Sequence, residues 1–136
     1  MKKYFLSIAF ILFAVIISGQ SFEKGNYVGF HVLTITLNEG ITMDQYLDLY
    51  INKVMPAYEK NLQSKCYLVK SSRGECENCV GVFIVWKSEA DWSKFWNKEG
   101  GATDLGQAAL DKLQPQTEEI KKLGTYTSKY TDWVVQ

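Results

Sequence analysis

Eight consecutive residues, Cys79 to Trp86 (Cys-Val-Gly-Val-Phe-Ile-Val-Trp), carry no charged side chain. They are rich in β-branched and aromatic residues and read as a strand. Strand side chains alternate between faces, so Gly81, Phe83 and Val85 oppose Val80, Val82, Ile84 and Trp86. Neither face is polar, and such a strand belongs inside a sheet with cover on both sides. Phe30 to Leu37 makes a similar demand, with Phe30, Val32, Thr34 and Thr36 opposing His31, Leu33, Ile35 and Leu37.

The segments around these strands fix their order. Thr42 and Gln45 have capping-box spacing. Met43, Tyr46, Leu47, Tyr50, Val54 and Tyr58 follow at helical intervals, which predicts a helix to about Lys60 with a bend near Pro56. Cys66 to Lys70 reads as a second strand and Cys79 to Trp86 as the third. Ser88 caps another helix, with Glu89 and Asp91 in its first turn and Trp92, Phe95 and Trp96 on one face. Leu105–Leu113 and Thr117–Leu123 read as two helical pieces separated by Pro115, and Tyr126 to Val135 as the last strand. The order β-α-β-β-α-β is the split βαβ motif. It predicts an α+β, ferredoxin-like domain: a four-stranded antiparallel sheet, first and third strands central, helices on one face. Lys70, Ser128, Lys129 and Asp132 suit the second and fourth strands to the edges. The helices leave one apolar face bare, and two such faces packed together predict a symmetric homodimer.

The strand order, the capped helix at Thr42, the aromatic Trp92–Trp96 helix, the broken third helical piece and the closing strand Tyr126–Val135 resemble the dimeric α/β-barrel superfamily. Its members include antibiotic-biosynthesis-type monooxygenases, haem-degrading enzymes, stress-responsive barrel proteins and uncharacterised small proteins. The resemblance implies a homodimer and, in each subunit, a ligand cavity between sheet and helices. It assigns no catalytic residue.

The N-terminus has the form of an export signal. Met1-Lys2-Lys3 precedes Tyr4–Ile17, which is apolar apart from Ser7. As a helix this run spans roughly 21 Å, short of a bilayer core of about 30 Å, and suits a secretory signal better than a membrane anchor. Ser18 and Gly19 offer a cleavage point, so residues 1–19 are expected to be removed and 20–136 to form one domain. This predicts a periplasmic or secreted protein of the bacterial envelope, with no stable membrane span after cleavage. Loss of Lys2 and Lys3 leaves 13 basic residues against 15 acidic ones, a poor balance for binding nucleic acid.

Candidate chemistry is sparse. His31 is the single histidine, which excludes a multi-histidine metal site. Its face of the strand suits a general base or a haem ligand, and equally a hydrogen-bonded structural histidine. No nucleophile elbow is present to support hydrolysis. Tyr46, Tyr50, Trp86, Trp92 and Trp96, with Phe95 and Tyr58, converge if both helices cover one sheet face. They either line a site for a flat ligand or pack as ordinary core. Cys76 and Cys79 form a Cys-x-x-Cys, which an oxidising compartment makes a disulfide; a redox pair, half of a metal site and two free thiols are the other readings. Cys66 lies too far along the hairpin to bridge Cys79 and is expected as a buried thiol, with an intermolecular partner on an edge strand as the alternative.

The expected function is binding of a small apolar or aromatic ligand by His31, Tyr46, Tyr50, Trp86, Trp92 and Trp96, with no metal and no cofactor required. Two alternatives stay open: a cofactor-independent monooxygenase with His31 taking a proton, and an interaction module without a cavity.

Overall fold

The computed structural model describes residues 22–74, 76 and 79–136. Residues 1–19, expected to be an export signal, lie outside the described residues. The elements in chain order are β1 (Tyr27–Leu37), α1 (Met43–Leu49), a π-helical turn (Tyr50–Val54), α2 (Met55–Leu62), β2 (Lys65–Lys70), β3 (Cys79–Trp86), α3 (Glu89–Trp92), α4 (Asp104–Lys121) and β4 (Gly124–Val134). The sheet order is β2-β3-β1-β4, antiparallel throughout. The two strands that are apolar on both faces are therefore the central ones, and the fold is the ferredoxin-like α+β arrangement.

Local chemistry accounts for the helix limits. The Gln45 amide donates to Thr42 Oγ1 at 3.2 Å, and the Thr42 amide donates to Gln45 Oε1 at 2.8 Å. This reciprocal cap satisfies two donors that the first turn of α1 leaves unpaired. Pro56 has no amide hydrogen, and its ring crowds the preceding turn. That turn widens instead of kinking: the Met55 amide donates to the Tyr50 carbonyl, five residues back. The expected bend is thus a π-helical turn just ahead of the proline.

A second expectation needs correction. Pro115 does not separate two helical pieces; α4 runs unbroken through it. The carbonyl of Asp111 loses its intrahelical donor there. Both residues are exposed, so water can serve that carbonyl. Leu113 and Ile120, on either side of the proline, are both buried and hold the two halves on one axis.

Between helices and sheet, Leu33, Cys66, Val80, Val82, Ile84, Trp86 and Trp92 form the main core. Trp86 Nε1 donates to the Leu62 carbonyl at 3.0 Å, tying β3 to the end of α2. On the other sheet face, Phe30 stacks on Phe83 with ring centres 4.3 Å apart. Gly81 makes room for that ring: a Cβ there would lie 2.9 Å from Phe30 Cε2 and 2.7 Å from Val69 Cγ2. Phe22, in the segment leading into β1, reaches back to Phe83 and to Tyr67, with centres 5.7 and 5.9 Å apart. Phe30, Val32 and Phe83 are half-buried, whereas Trp133 is 58% exposed.

Candidate functional site

The helix layer does not reach the β4 edge of the sheet. Tyr126 and Tyr130 point to the helix-bearing face, opposite Ile35 and His31 of β1, yet they are 43% and 58% exposed. Under the rim of the helices a cavity of about 230 Å³ remains. Its floor is sheet: Gly29, His31 and Leu33 from β1, with Val82, Ile84 and Trp86 from β3. Tyr50 and Tyr58 form the wall from the first helical segment, Trp92 at the end of α3 and Trp96, bridged to Ala102 beyond it, form the facing wall, and Leu110 of α4 closes part of the roof. Tyr126, Tyr130 and Asp132 of β4 line the open side.

Each of these side chains has an identifiable reason to be there. The π-helical turn begins at Tyr50, whose ring lies parallel to that of Tyr46 with centres 6.3 Å apart. Ser88 caps α3 by accepting from the Asp91 amide at 3.2 Å, which sets the direction in which Trp92 leaves the sheet. Trp92 then packs on Tyr27 with centres 4.7 Å apart. Gly100, at φ 82°, brings its loop against β4: a Cβ there would lie 3.0 Å from the Tyr130 hydroxyl.

The polar groups are few. His31 Nδ1 lies 3.2 Å from Ser128 Oγ, and its ring stacks on Tyr130 with centres 5.4 Å apart. Burial holds the imidazole below its ordinary range, against a smaller upward pull from the Asp132 charge. Burial likewise lifts the Asp132 carboxyl above the usual range, opposed by His31. Burial pushes Tyr58 up to about 12 and Tyr50 higher still, so both phenols keep their protons and can donate to a ligand. Trp86 is already committed to the Leu62 carbonyl and offers a ligand only its ring.

Of the residues expected from sequence, His31, Tyr50, Trp86, Trp92 and Trp96 meet at this cavity. Tyr46 does not line it. It is fully buried with Val54 and Ile120, and its hydroxyl has no hydrogen-bond partner among the described residues. Cys76 and Cys79 are joined at the β2–β3 turn with Cα atoms 5.4 Å apart. Cys79 Sγ is 3.7 Å from Thr34 Oγ1, on the sheet face away from the cavity. Cys66 is a free thiol, and burial pushes it up to about 12. Among the described residues no group of His, Cys, Asp and Glu is placed to hold a metal ion.

Sequence reasoning missed the β4 contribution: Tyr126, Ser128, Tyr130 and Asp132. An available signal was their period-two spacing, which puts all four on one face of a strand antiparallel to His31. Gly29 lies just ahead of the strand expected over Phe30–Leu37. In the structure it belongs to β1, where a Cβ would lie 3.4 Å from Asp132 Oδ1 and 3.7 Å from His31 Nε2. Its bare backbone leaves open the one point where carboxylate and imidazole converge.

No known family model and no curated protein matches the chain. Among solved structures, it is similar to a single-site variant of SnoaB, a cofactor-independent oxygenase from Streptomyces nogalater. Identity is 12% over 81% of this chain and 93% of that one, with a TM-score of 0.48. It is also similar to a dimeric protein of unknown function and ferredoxin-like fold from Bacteroides fragilis. There identity is 12% over 79% of this chain and 95% of that one, with a TM-score of 0.38.

Proposed function

We propose that the protein is exported and binds a small, largely apolar aromatic molecule in the cavity between sheet and helices, as a homodimer joined through the open sheet face. The observation that carries the reading is the cavity itself, because ordinary core packing of the same aromatics would have closed it. Its size is informative. An apolar cavity of about 150 Å³ holds a benzene ring. A space of about 230 Å³ therefore suits a one- or two-ring compound. Side chains from β1, β3, β4 and both helical segments surround it. The half-buried Phe30, Val32 and Phe83 supply the apolar centre of the dimer contact, with Trp133 at its edge.

Thermal unfolding with a panel of one- and two-ring aromatic compounds tests the ligand reading. A ligand at 100 times its Kd stabilises the native state by about 2.7 kcal/mol, which shifts the midpoint by several degrees. Stabilisation by a subset of the panel supports the reading; a flat response across it contradicts it.

A second reading, oxidation of an electron-rich substrate by dioxygen without a cofactor, is favoured by one observation. His31 is the single imidazole lining the cavity, and burial keeps it neutral and so able to accept a proton, while making it a weaker base. The substrate would lose a proton to the imidazole and supply its own electrons to dioxygen. Oxygen uptake that survives His31→Ala unchanged removes His31 from such a step.

A further inference from the structure

The cavity is strongly one-sided in charge. Seven tyrosine and tryptophan side chains line it; among the described residues no lysine or arginine does, and the single carboxylate is Asp132. The mouth carries Glu89, Glu99 and Asp132 against one ammonium, Lys98. An anionic ligand would meet Asp132 with no fixed positive charge in the lining to offset it. A cation meets the opposite surroundings. Aromatic faces, tryptophan above all, present negative potential to a cation, and their pull strengthens as water is excluded.

We propose that the ligand is an organic cation, a small aromatic amine, with its ammonium seated over Gly29 beside Asp132. This rests on the ligand-pocket reading and names its substrate class. Gly29 fixes the position. Asp132 Oδ1, the Trp86 ring and His31 Nε2 lie 3.4, 3.6 and 3.7 Å from the point a Cβ on Gly29 would take, so the three border the space directly above that bare backbone. One ammonium there reaches a carboxylate for charge, an imidazole nitrogen as a hydrogen-bond acceptor, and an indole ring. His31 suits the role because burial disfavours the imidazolium, which would repel the ligand. The apolar remainder of the ligand extends along Leu33 and Ile84 toward Tyr58.

Three probes share one ring system and differ in charge: tryptamine, tryptophol and indole-3-acetate. Isothermal titration of the mature protein at low salt should give tryptamine the lowest Kd, about tenfold below tryptophol, with indole-3-acetate weakest. Asp132→Asn should raise the tryptamine Kd about tenfold, and added salt should erode part of the advantage. Circular dichroism establishes that the variant, changed at an edge-strand position, remains folded. Tryptophol or indole-3-acetate binding as tightly as tryptamine overturns the charge assignment and leaves the pocket reading standing. Absence of binding by all three overturns both. Unchanged tryptamine affinity in Asp132→Asn overturns the role of Asp132.

Discussion

The two faces of this sheet use the same four strands and solve opposite packing problems. On the open face the strands cover themselves: Gly81 lacks a side chain, Phe30 lies over it, and Phe83 stacks on Phe30. On the helix face a glycine in the same sheet has the opposite consequence. Gly29 leaves a space that nothing fills, because the helices stop short of β4. A glycine in a strand thus closes a surface or opens one, according to whether a neighbouring ring is long enough to lie across it. In the proposed function the first face takes a flat protein partner and the second a small molecule.

Substitutions that separate the faces give effects of graded size. The largest is expected where the helix layer is anchored. Phe95 is almost fully buried with Leu62 and Ala109. Phe95→Ala should cost roughly 3–5 kcal/mol in urea unfolding and open the roof of the cavity. On the other face, Phe83→Lys places a charge at the centre of the proposed dimer contact. It should weaken association by at least about 2 kcal/mol, roughly thirtyfold, read by light scattering across a dilution series. A protein that is already monomeric at micromolar concentration contradicts the dimer.

The two glycines supply a sharper pair. Gly81→Ala drives a methyl into Val69 and Phe30 and should destabilise by about 1–3 kcal/mol. Gly29→Ala meets only ordinary contacts and should change stability by less than about 1 kcal/mol, in either direction. It should nonetheless weaken ligand binding, since the methyl crowds the space above residue 29 where the ligand's ammonium is proposed to sit. Equal destabilisation by the two changes would erase the distinction between the faces.

The smallest effect is a pH dependence. Folded His31 binds its proton less readily than the unfolded chain, whose value is near 6.5. The unfolded state therefore holds more proton between the two values. Stability from this group is complete above about 6.5 and is lost as pH falls through the folded value. Asp132, raised by burial, has the opposite sign in a more acidic window that begins near 3.8. The single histidine makes the check direct: its imidazole resonances in an NMR titration should reach their midpoint below 6.5. A midpoint above that value contradicts the buried placement.

Much of this architecture was legible in the chain, for reasons visible in particular residues. Neutral, apolar β3 required an interior position, and lysines in β2 and β4 marked edges, which fixes the strand order. Thr42 with Gln45 marked a helix start by spacing alone. Pro115 misled because propensity measures an isolated helix, whereas buried Leu113 and Ile120 hold this one in place. The site was half legible. Tyr50, Trp86, Trp92 and Trp96 follow from amphipathic spacing, but the same spacing pointed to Tyr46, which the π-helical turn leaves in the core. Asp132 was read as an edge residue, which it also is. Its position beside His31 depends on the β1–β4 register, a long-range pairing that no local pattern specifies.

The hollow under the helix rim is tested most directly by a crystal structure of the protein grown with indole. The account predicts the bound ring between sheet and helices, along Leu33 and Ile84 and walled by Trp86, Trp92 and Trp96. A structure in which Trp96 and Tyr130 fold inward to fill that space, with no ring bound between sheet and helices, would contradict it.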